Sequence, residues 1–458
     1  MAQRRRENAP KREDVCNMPN PILPLWEYIP DGEPRVFGNR VYLYGSHDRA
    51  AGEAFCDFKL KVWSASVNDL NHWQCHGDSF RTRPGHARPA DAPWTDHELF
   101  APDVVEKDGK YYLYAYIVGA KGAVGVSDRP EGPFRLLSTY SYQDRVGDDG
   151  IFNDAGVLVD GDGRVYVYYG FTESHMNELD PHDMHTVLPG SYRHPVIDDR
   201  ESVPEDRRFY EASSPRKIGD TYYLIYSPRK GSRLAYATAS SPAGPFAYRG
   251  YIIDNGVDYP AGNNHGSIAC INGQWYVFYH RMTNHTIMSR RACVEKINIL
   301  PDGSIPPVEM TSLGFQEALD PYEITPGEIA CVLKGGCFIT ETDLFTRLVT
   351  EIRDGCVMGY KYFDFGEDMT GDGMNIAVKT RGAGVKCRLR VLLDDDRNGP
   401  CVGTVEIGVG DGVYQGRIAP VTGRHALYLI AEHRVEGWMG QFFEGRRLFD
   451  LESFVFIK

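Results

Sequence analysis

Two features of the sequence predict an all-β chain, a five-bladed β-propeller followed by a β-sandwich. The first is a hairpin phrase that occurs five times: GNRVYLYGSH from residue 38, KDGKYYLYAY from 107, GDGRVYVYYG from 161, IGDTYYLIYS from 218 and INGQWYVFYH from 271. Each copy places a Gly, Asn or Asp turn ahead of alternating aromatic and β-branched residues, as a tight hairpin requires. β-Hairpins recurring roughly every fifty residues mark propeller blades, one blade per copy. The second feature is a change of pattern after residue 315. Short alternating runs such as CFITE, VMGYKYFDFG, MNIAVKTRG, KCRLRVLLDD and HALYLIAEHR follow one another with Gly/Asp turns and no helical period, the signature of sandwich strands.

Taken in order, residues 1–17 read as a basic, disordered arm, because MAQRRRENAPKRED lacks an apolar core. Residues 18–315 carry the five blades. Within them SDRPEGPF (127–134) and SSPAGPF (240–246) follow their hairpins at similar offsets, with SASVNDLNHW (64–73) in the same place in the first blade. Thr221–Ser227 alternates as a buried strand does. Residues 316–329 (QEALDPYEITPGEI) form a polar, Pro-bearing linker, and residues 330–458 the sandwich.

Composition narrows the class of function. The net charge of −13 disfavours nucleic acid and anionic membrane as partners. No apolar run is long enough to cross a bilayer and no signal-peptide pattern is visible. Ten cysteines are scattered without scaffold or zinc-knuckle spacing, so a cytoplasmic protein with free thiols is expected.

In a propeller the innermost strands converge on the axis, so residues near their starts meet at one mouth. Carboxylates stand there in four successive blades: Asp31 in YIPDGEPRVF, Asp103 in FAPDVVEKDG, Asp154 in IFNDAGVLVDGDG and Glu211 in RFYEASSPRK. The fifth blade offers His265 in NNHGSIACINGQW. Glu211 lies beside Phe209 and Tyr210, where lost hydration disfavours the charged form and suits a proton donor. Asp31, between Pro30 and Gly32, is expected in a turn open to water and therefore ionised.

NPILP, IPDGEPRVFGNRVYLYGSHD, FNDAGVLVDGDGRVYVYYG, FYEASSPRKIGDTYYLIYS and NNHGSIACINGQWYVFYHR together resemble glycoside hydrolase family 43, whose five-bladed propellers cleave xylosides and arabinosides with inversion. The resemblance implies Asp31 as general base, Asp154 as the acid that tunes and orients, and Glu211 as general acid. Glu33 competes with Asp31, but Asp31 aligns without a gap. His265 and Arg281 match positions lining the sugar pocket or axial channel, Asp103 joins them as a substrate-binding candidate, and Trp94 offers a stacking wall.

Inversion needs one protonated and one ionised carboxyl on opposite faces of the sugar, and the charge of Asp154 would keep Glu211 protonated. No cofactor is required, although the resemblance leaves room for a structural calcium in the axial channel near His265. The expected activity is an inverting exo-glycosidase acting on terminal β-D-xylosyl or α-L-arabinofuranosyl residues of hemicellulose-derived oligosaccharides. The alternatives are a non-catalytic sugar-binding propeller or a related galactosidase or fructosidase. The DGDG of 160–163 hints at a calcium loop, but Phe171 stands where that loop needs Glu, so it reads as a hairpin turn. The C-terminal runs resemble a family 6 carbohydrate-binding module, with Tyr414, Trp438 and Phe442 as candidate sugar contacts.

Overall fold

The computed structural model describes residues 19–86, 88–139, 152–367, 373–435 and 437–458; the basic arm lies outside them. Five antiparallel sheets form the propeller. Blade 1 comprises β1 (Glu33–Phe37), β2 (Arg40–Tyr44), β3 (Lys59–Ser66) and β4 (Asp69–Arg81). Blade 2 comprises β5 (Leu99–Lys107), β6 (Lys110–Ile117), β7 (Ala123–Ser127) and β8 (Arg135–Thr139). Blade 3 holds β9 (Gly156–Val159), β10 (Val165–Tyr169) and β11 (His175–Leu179). Blade 4 holds β12 (Phe209–Ile218), β13 (Thr221–Pro228), β14 (Arg233–Ala239) and β15 (Ala247–Asp254). Blade 5 holds β16 (Ser267–Ile271), β17 (Gln274–Thr283) and β18 (Thr286–Ile297).

The repeated phrase is the first hairpin of each blade. Lys107 pairs with Lys110 and Ile271 with Gln274, so Asp108-Gly109 and Asn272-Gly273 are two-residue loops. Both residues of each have positive φ, the twist that matches flanking strands and favours Asp, Asn and Gly. The DGDG segment is also a turn: the Gly161 N–H donates to Asp160 Oδ1 at 2.6 Å and the Gly163 N–H to the Asp160 carbonyl at 2.9 Å.

The apolar faces of the strands bury themselves between blades. Val41, Leu43 and Trp63 of blade 1 pack with Ile271 and Phe278 of blade 5. Val105 and Tyr114 of blade 2 pack with Val157 and Val165 of blade 3, and Leu158 and Tyr168 of blade 3 with Leu224 and Tyr226 of blade 4. The ring is clasped by the N-terminal segment, which runs beside β18. The Ile22 N–H donates to the Ala292 carbonyl at 2.9 Å, and Asn20 exchanges 2.8 Å bonds with the backbone of Val294.

The strands after residue 330 form one continuous sheet that folds over on itself. Its order runs Val332–Lys334, Val357–Asp364, Arg424–His433, Cys387–Leu393, Cys401–Ile407, Gly412–Ile418, Met374–Gly382, Phe449–Ile457, Thr346–Ile352 and Phe338–Asp343. Residues 316–329 are not a free tether. The Leu319 N–H donates to the Tyr362 carbonyl at 2.8 Å, and Thr325 pairs with Phe454. A single apolar core runs from Ile225, Tyr236 and Val277 of blades 4 and 5 into Ile329, Tyr360 and Phe454 of the sandwich. The packing of that shared core couples the two domains. Of the three aromatic candidates on the sandwich, Trp438 and Phe442 are exposed and touch edge to face at 5.7 Å. Tyr414 packs on the core and donates to the Gly410 carbonyl.

Candidate active site

The starts of β1, β9, β12 and β16 share one end of the propeller. Asp31, Asp154, Glu211 and His265 therefore meet there, although they are far apart in sequence. His265 Nδ1 sits 3.7 Å from Asp31 Oδ1 and 3.8 Å from Asp154 Oδ2. Two close approaches of backbone draw these strands in. Gly32 bridges Gly266 between blades 1 and 5. A Cβ at Gly156 would stand 2.1 Å from the Ser213 carbonyl oxygen, so only glycine lets blade 3 lie this near blade 4. Asp31, Asp154 and Ala212 hold φ of 57°, 47° and 70°. Such left-handed residues are uncommon outside glycine, tolerated best by Asp and Asn, and concentrated at functional sites. At Glu211 the β12–β13 register slips on both sides, before its pairing with Ser227 and after it, and the bulge re-aims the carboxyl.

Asp31 is buried, not open to water. Arg290 Nη1 donates to its Oδ1 at 2.8 Å and Ser46 Oγ to its Oδ2 at 2.6 Å. Burial alone would raise its pKa, but Arg290, His265, His280 and Ser46 outweigh it and hold the carboxyl below its usual value. The same Arg290 donates from Nε and Nη2 to Asp48 at 2.8 and 3.0 Å, which fixes the fork. The Asp31 N–H points to His280 Nδ1 at 3.4 Å, so that nitrogen accepts. Nε2 then carries the proton toward the Asn263 carbonyl at 3.1 Å. Burial and Arg290 push His280 down to about 3, and burial lowers His265 too.

Glu211 has the opposite character. Burial, then the negative charge of Asp31, raises it to about 7, with Arg290 opposing. Asp154 is also raised well above its usual value, by burial, Glu211 and Asp31, while the Ala212 N–H and Arg290 pull the other way. The charge that keeps Glu211 protonated is therefore Asp31. Asp154 is itself raised by burial and by the charges of Glu211 and Asp31, and the charge acting on Glu211 comes from Asp31.

Several expected contacts fall elsewhere. Glu33 cannot be the base. It accepts from Ser214 Oγ at 2.8 Å and Arg216 Nη2 at 2.5 Å, below the mouth on β1. Asp103 does not face a sugar, since all its bonds are internal. Oδ1 takes Arg35 Nε at 2.9 Å and the Val104 N–H at 2.6 Å; Oδ2 takes Arg35 Nη2 at 2.6 Å and the Val157 N–H at 2.7 Å. Arg281 follows His280 on β17 and so points to the opposite face. There it meets Tyr279 Oη at 2.9 Å and the Thr311 carbonyl, beside Glu295. Trp94 lies on the rim of blade 2 with its N–H on the Lys121 carbonyl at 3.1 Å. Phe100, whose ring packs on Tyr116 at 5.7 Å, precedes Ala101, whose N–H donates to Ser46 Oγ at 2.8 Å.

A calcium ion near His265 would need six to eight oxygens. The carboxylates beside His265 are Asp31, whose oxygens already accept from Arg290 and Ser46, and Asp154, while Glu33 and Asp103 are committed to Arg216 and Arg35. Ser46, Asp48, His280 and Arg290 were not singled out from sequence. GSHD (45–48) after β2, SRRAC (289–293) on β18 and, for His280, the end of the phrase INGQWYVFYH are the local signals they leave.

A sequence model described as glycosyl hydrolases family 43 matches residues 18–305. A xylosidase/arabinosidase of Thermoclostridium stercorarium is 38% identical over 89% of this chain and 95% of its own. A β-xylosidase/α-arabinofuranosidase from a compost microbial metagenome, solved with xylotriose in a calcium-free form, is 27% identical. It covers 64% of this chain and 98% of its own at a TM-score of 0.55. An arabinoxylan arabinofuranohydrolase of Bacillus subtilis shares the fold of both domains, covering 97% of this chain and 99% of its own at a TM-score of 0.54 and 22% identity. The chain belongs to glycosyl hydrolases family 43.

Proposed function

We propose that this glycoside hydrolase releases terminal β-D-xylosyl or α-L-arabinofuranosyl residues from xylan-derived oligosaccharides, with inversion. The carrying observation is the opposed state of two carboxyls at one mouth: Asp31 held ionised by Arg290, Glu211 protonated up to about pH 7. Glu211 gives its proton to the glycosidic oxygen as the bond to the anomeric carbon breaks. Asp31 takes a proton from a water attacking the opposite face. Asp154, bonded by the Ala212 N–H, positions Glu211. Beside the acid, Tyr210 and the exposed Phe171 make ring contact at 4.9 Å. They offer an apolar wall to the departing sugar.

The named activities of the T. stercorarium and metagenomic relatives support this substrate class. The nine described cysteines, all free thiols, fit a cytoplasmic enzyme meeting short, imported oligosaccharides. The test is a panel of nitrophenyl glycosides. Release from the β-xyloside or α-arabinofuranoside is expected; release from neither, with a galactoside or fructoside cleaved instead, would overturn the reading.

A further inference from the structure

On the far side of the mouth from Phe171 and Tyr210, the two domains together expose a second aromatic surface. The hairpin Phe338–Asp343/Thr346–Ile352 of the sandwich reaches the β17–β18 loop, which belongs to the mouth because β17 runs antiparallel to β16. The Asn284 N–H donates to the Ile339 carbonyl at 2.7 Å, and Asn284 Oδ1 accepts from Thr340 Oγ1 at 3.0 Å. The tip of the hairpin then meets the segment leading into Asp31. Phe345 touches Trp26 edge to face at 5.8 Å, and the two rings are 64% and 43% exposed.

The base beneath these rings is braced. Tyr28 Oη donates to Glu341 Oε2 at 2.8 Å and accepts from Arg347 Nε at 3.0 Å, while Arg347 Nη2 also holds Glu341 at 3.0 Å. The same base is continuous with the catalytic charges. The Asp48 N–H donates to the Tyr28 carbonyl at 2.9 Å, and Asp48 grips the Arg290 that holds Asp31. Four residues separate Trp26 from Asp31, five steps that span at most about 18 Å of chain.

We infer that Trp26 and Phe345 form a stacking platform, shared by propeller and sandwich, for pyranose units of a xylo-oligosaccharide whose reacting end occupies the pocket. Two observations favour sugar over a protein partner. The exposed rings lie on the segment leading into Asp31 and on the hairpin that reaches the β17–β18 loop, and they are held by a hydrogen-bonded base that leaves little ordering to be done on binding. The sandwich then serves the enzyme by completing its substrate cleft. This rests on the proposed activity for its choice of sugar.

The test is titration calorimetry of xylohexaose and of xylose into the Glu211→Gln protein, which turns substrate over too slowly to interfere. Adding Phe345→Ala or Trp26→Ala is expected to weaken xylohexaose about three- to tenfold and leave xylose unchanged, with Trp26→Phe near the parent. Phe345 sits on an exposed turn, so an unchanged thermal midpoint confirms folding. Undiminished xylohexaose affinity in both alanine variants, or an equal loss for xylose, would overturn the platform. Failure of the wild-type protein to release nitrophenol from either glycoside sinks the proposed activity and leaves the titration to judge the platform separately.

Discussion

Arg290 Nη1 donates to Asp31 Oδ1 at 2.8 Å while Nε and Nη2 of the same guanidinium hold Asp48. One planar fork thus joins the carboxyl assigned to activate water with a buried acid on the loop after β2. A lysine keeps the charge but cannot span both carboxylates. Arg290→Lys is expected to lower kcat/KM roughly ten- to a hundredfold. It should also move the acidic limb of the pH profile upward, because Asp31 loses the partner that favours its ionised form. An acidic limb at the wild-type position would show that Arg290 does not set the charge of Asp31.

The roles of the two acids separate by leaving group. Glu211→Gln should cut hydrolysis of natural oligosaccharides by about 10²–10⁴ yet spare substrates whose phenolate departs without protonation. Asp31→Asn should harm both equally, since water must be activated whatever leaves. Kinetics on xylobiose and on a dinitrophenyl glycoside make the comparison. The same leaving-group dependence in both variants would reverse or dissolve the assignment.

Much of this was legible in the chain because repeats carry their own register. Five hairpin phrases announced five blades, and matched offsets brought Asp31, Asp154 and Glu211 to one mouth. Offsets fix depth along the axis, not which way a side chain points. Asp103 has the right offset yet is taken up by Arg35 and two backbone N–H groups. Arg281 stands one residue from His280 and so falls on the other face of β17. Arg290 comes from the third strand of blade 5, where no recurring phrase marks it. The electrostatic order also depended on burial: Asp31 looked solvated beside Gly32 and is ionised instead through a guanidinium. The aromatic pair of Trp26 and Phe345 joins residues more than three hundred positions apart and leaves no local pattern at all.

The raised acids make stability depend on pH in a definite direction. Folded Glu211 holds its proton up to about pH 7, whereas an unfolded glutamate releases it near pH 4.3. Between those values the folded state binds more protons, so stability falls as pH rises through that window. Asp154 has the same sign; Asp31, held low, has the opposite one and adds stability that is lost only on strong acidification. Glu211→Gln and Asp154→Asn should therefore melt a few degrees higher than wild type at pH 8, with the gap narrowing at pH 5. Calorimetric scans at the two pH values decide it. A gap that is absent at pH 8, or equal at both, would contradict the protonation states assigned here.

A retaining glycosidase holds its two carboxyls about 5–5.5 Å apart so that one can attack the sugar. An inverting one leaves about 6.5–9.5 Å for a water. Asp31 leads into β1 and Glu211 lies on β12, so they belong to blades 1 and 4, which are not neighbours around the ring. His265 of blade 5 stands between Asp31 and the Asp154 of blade 3, with Nδ1 at 3.7 and 3.8 Å from the two. That imidazole separates the two aspartates, and the blade order sets Glu211 beyond them. Both Asp31 oxygens, moreover, already accept bonds from Arg290 and Ser46, which weakens the carboxylate as a nucleophile but leaves lone pairs to receive a proton from water. The first-formed sugar should therefore carry the inverted anomeric configuration, read by proton NMR before mutarotation. A retained anomer, or an ester trapped on Asp31, would overturn the mechanism even with the substrate class intact.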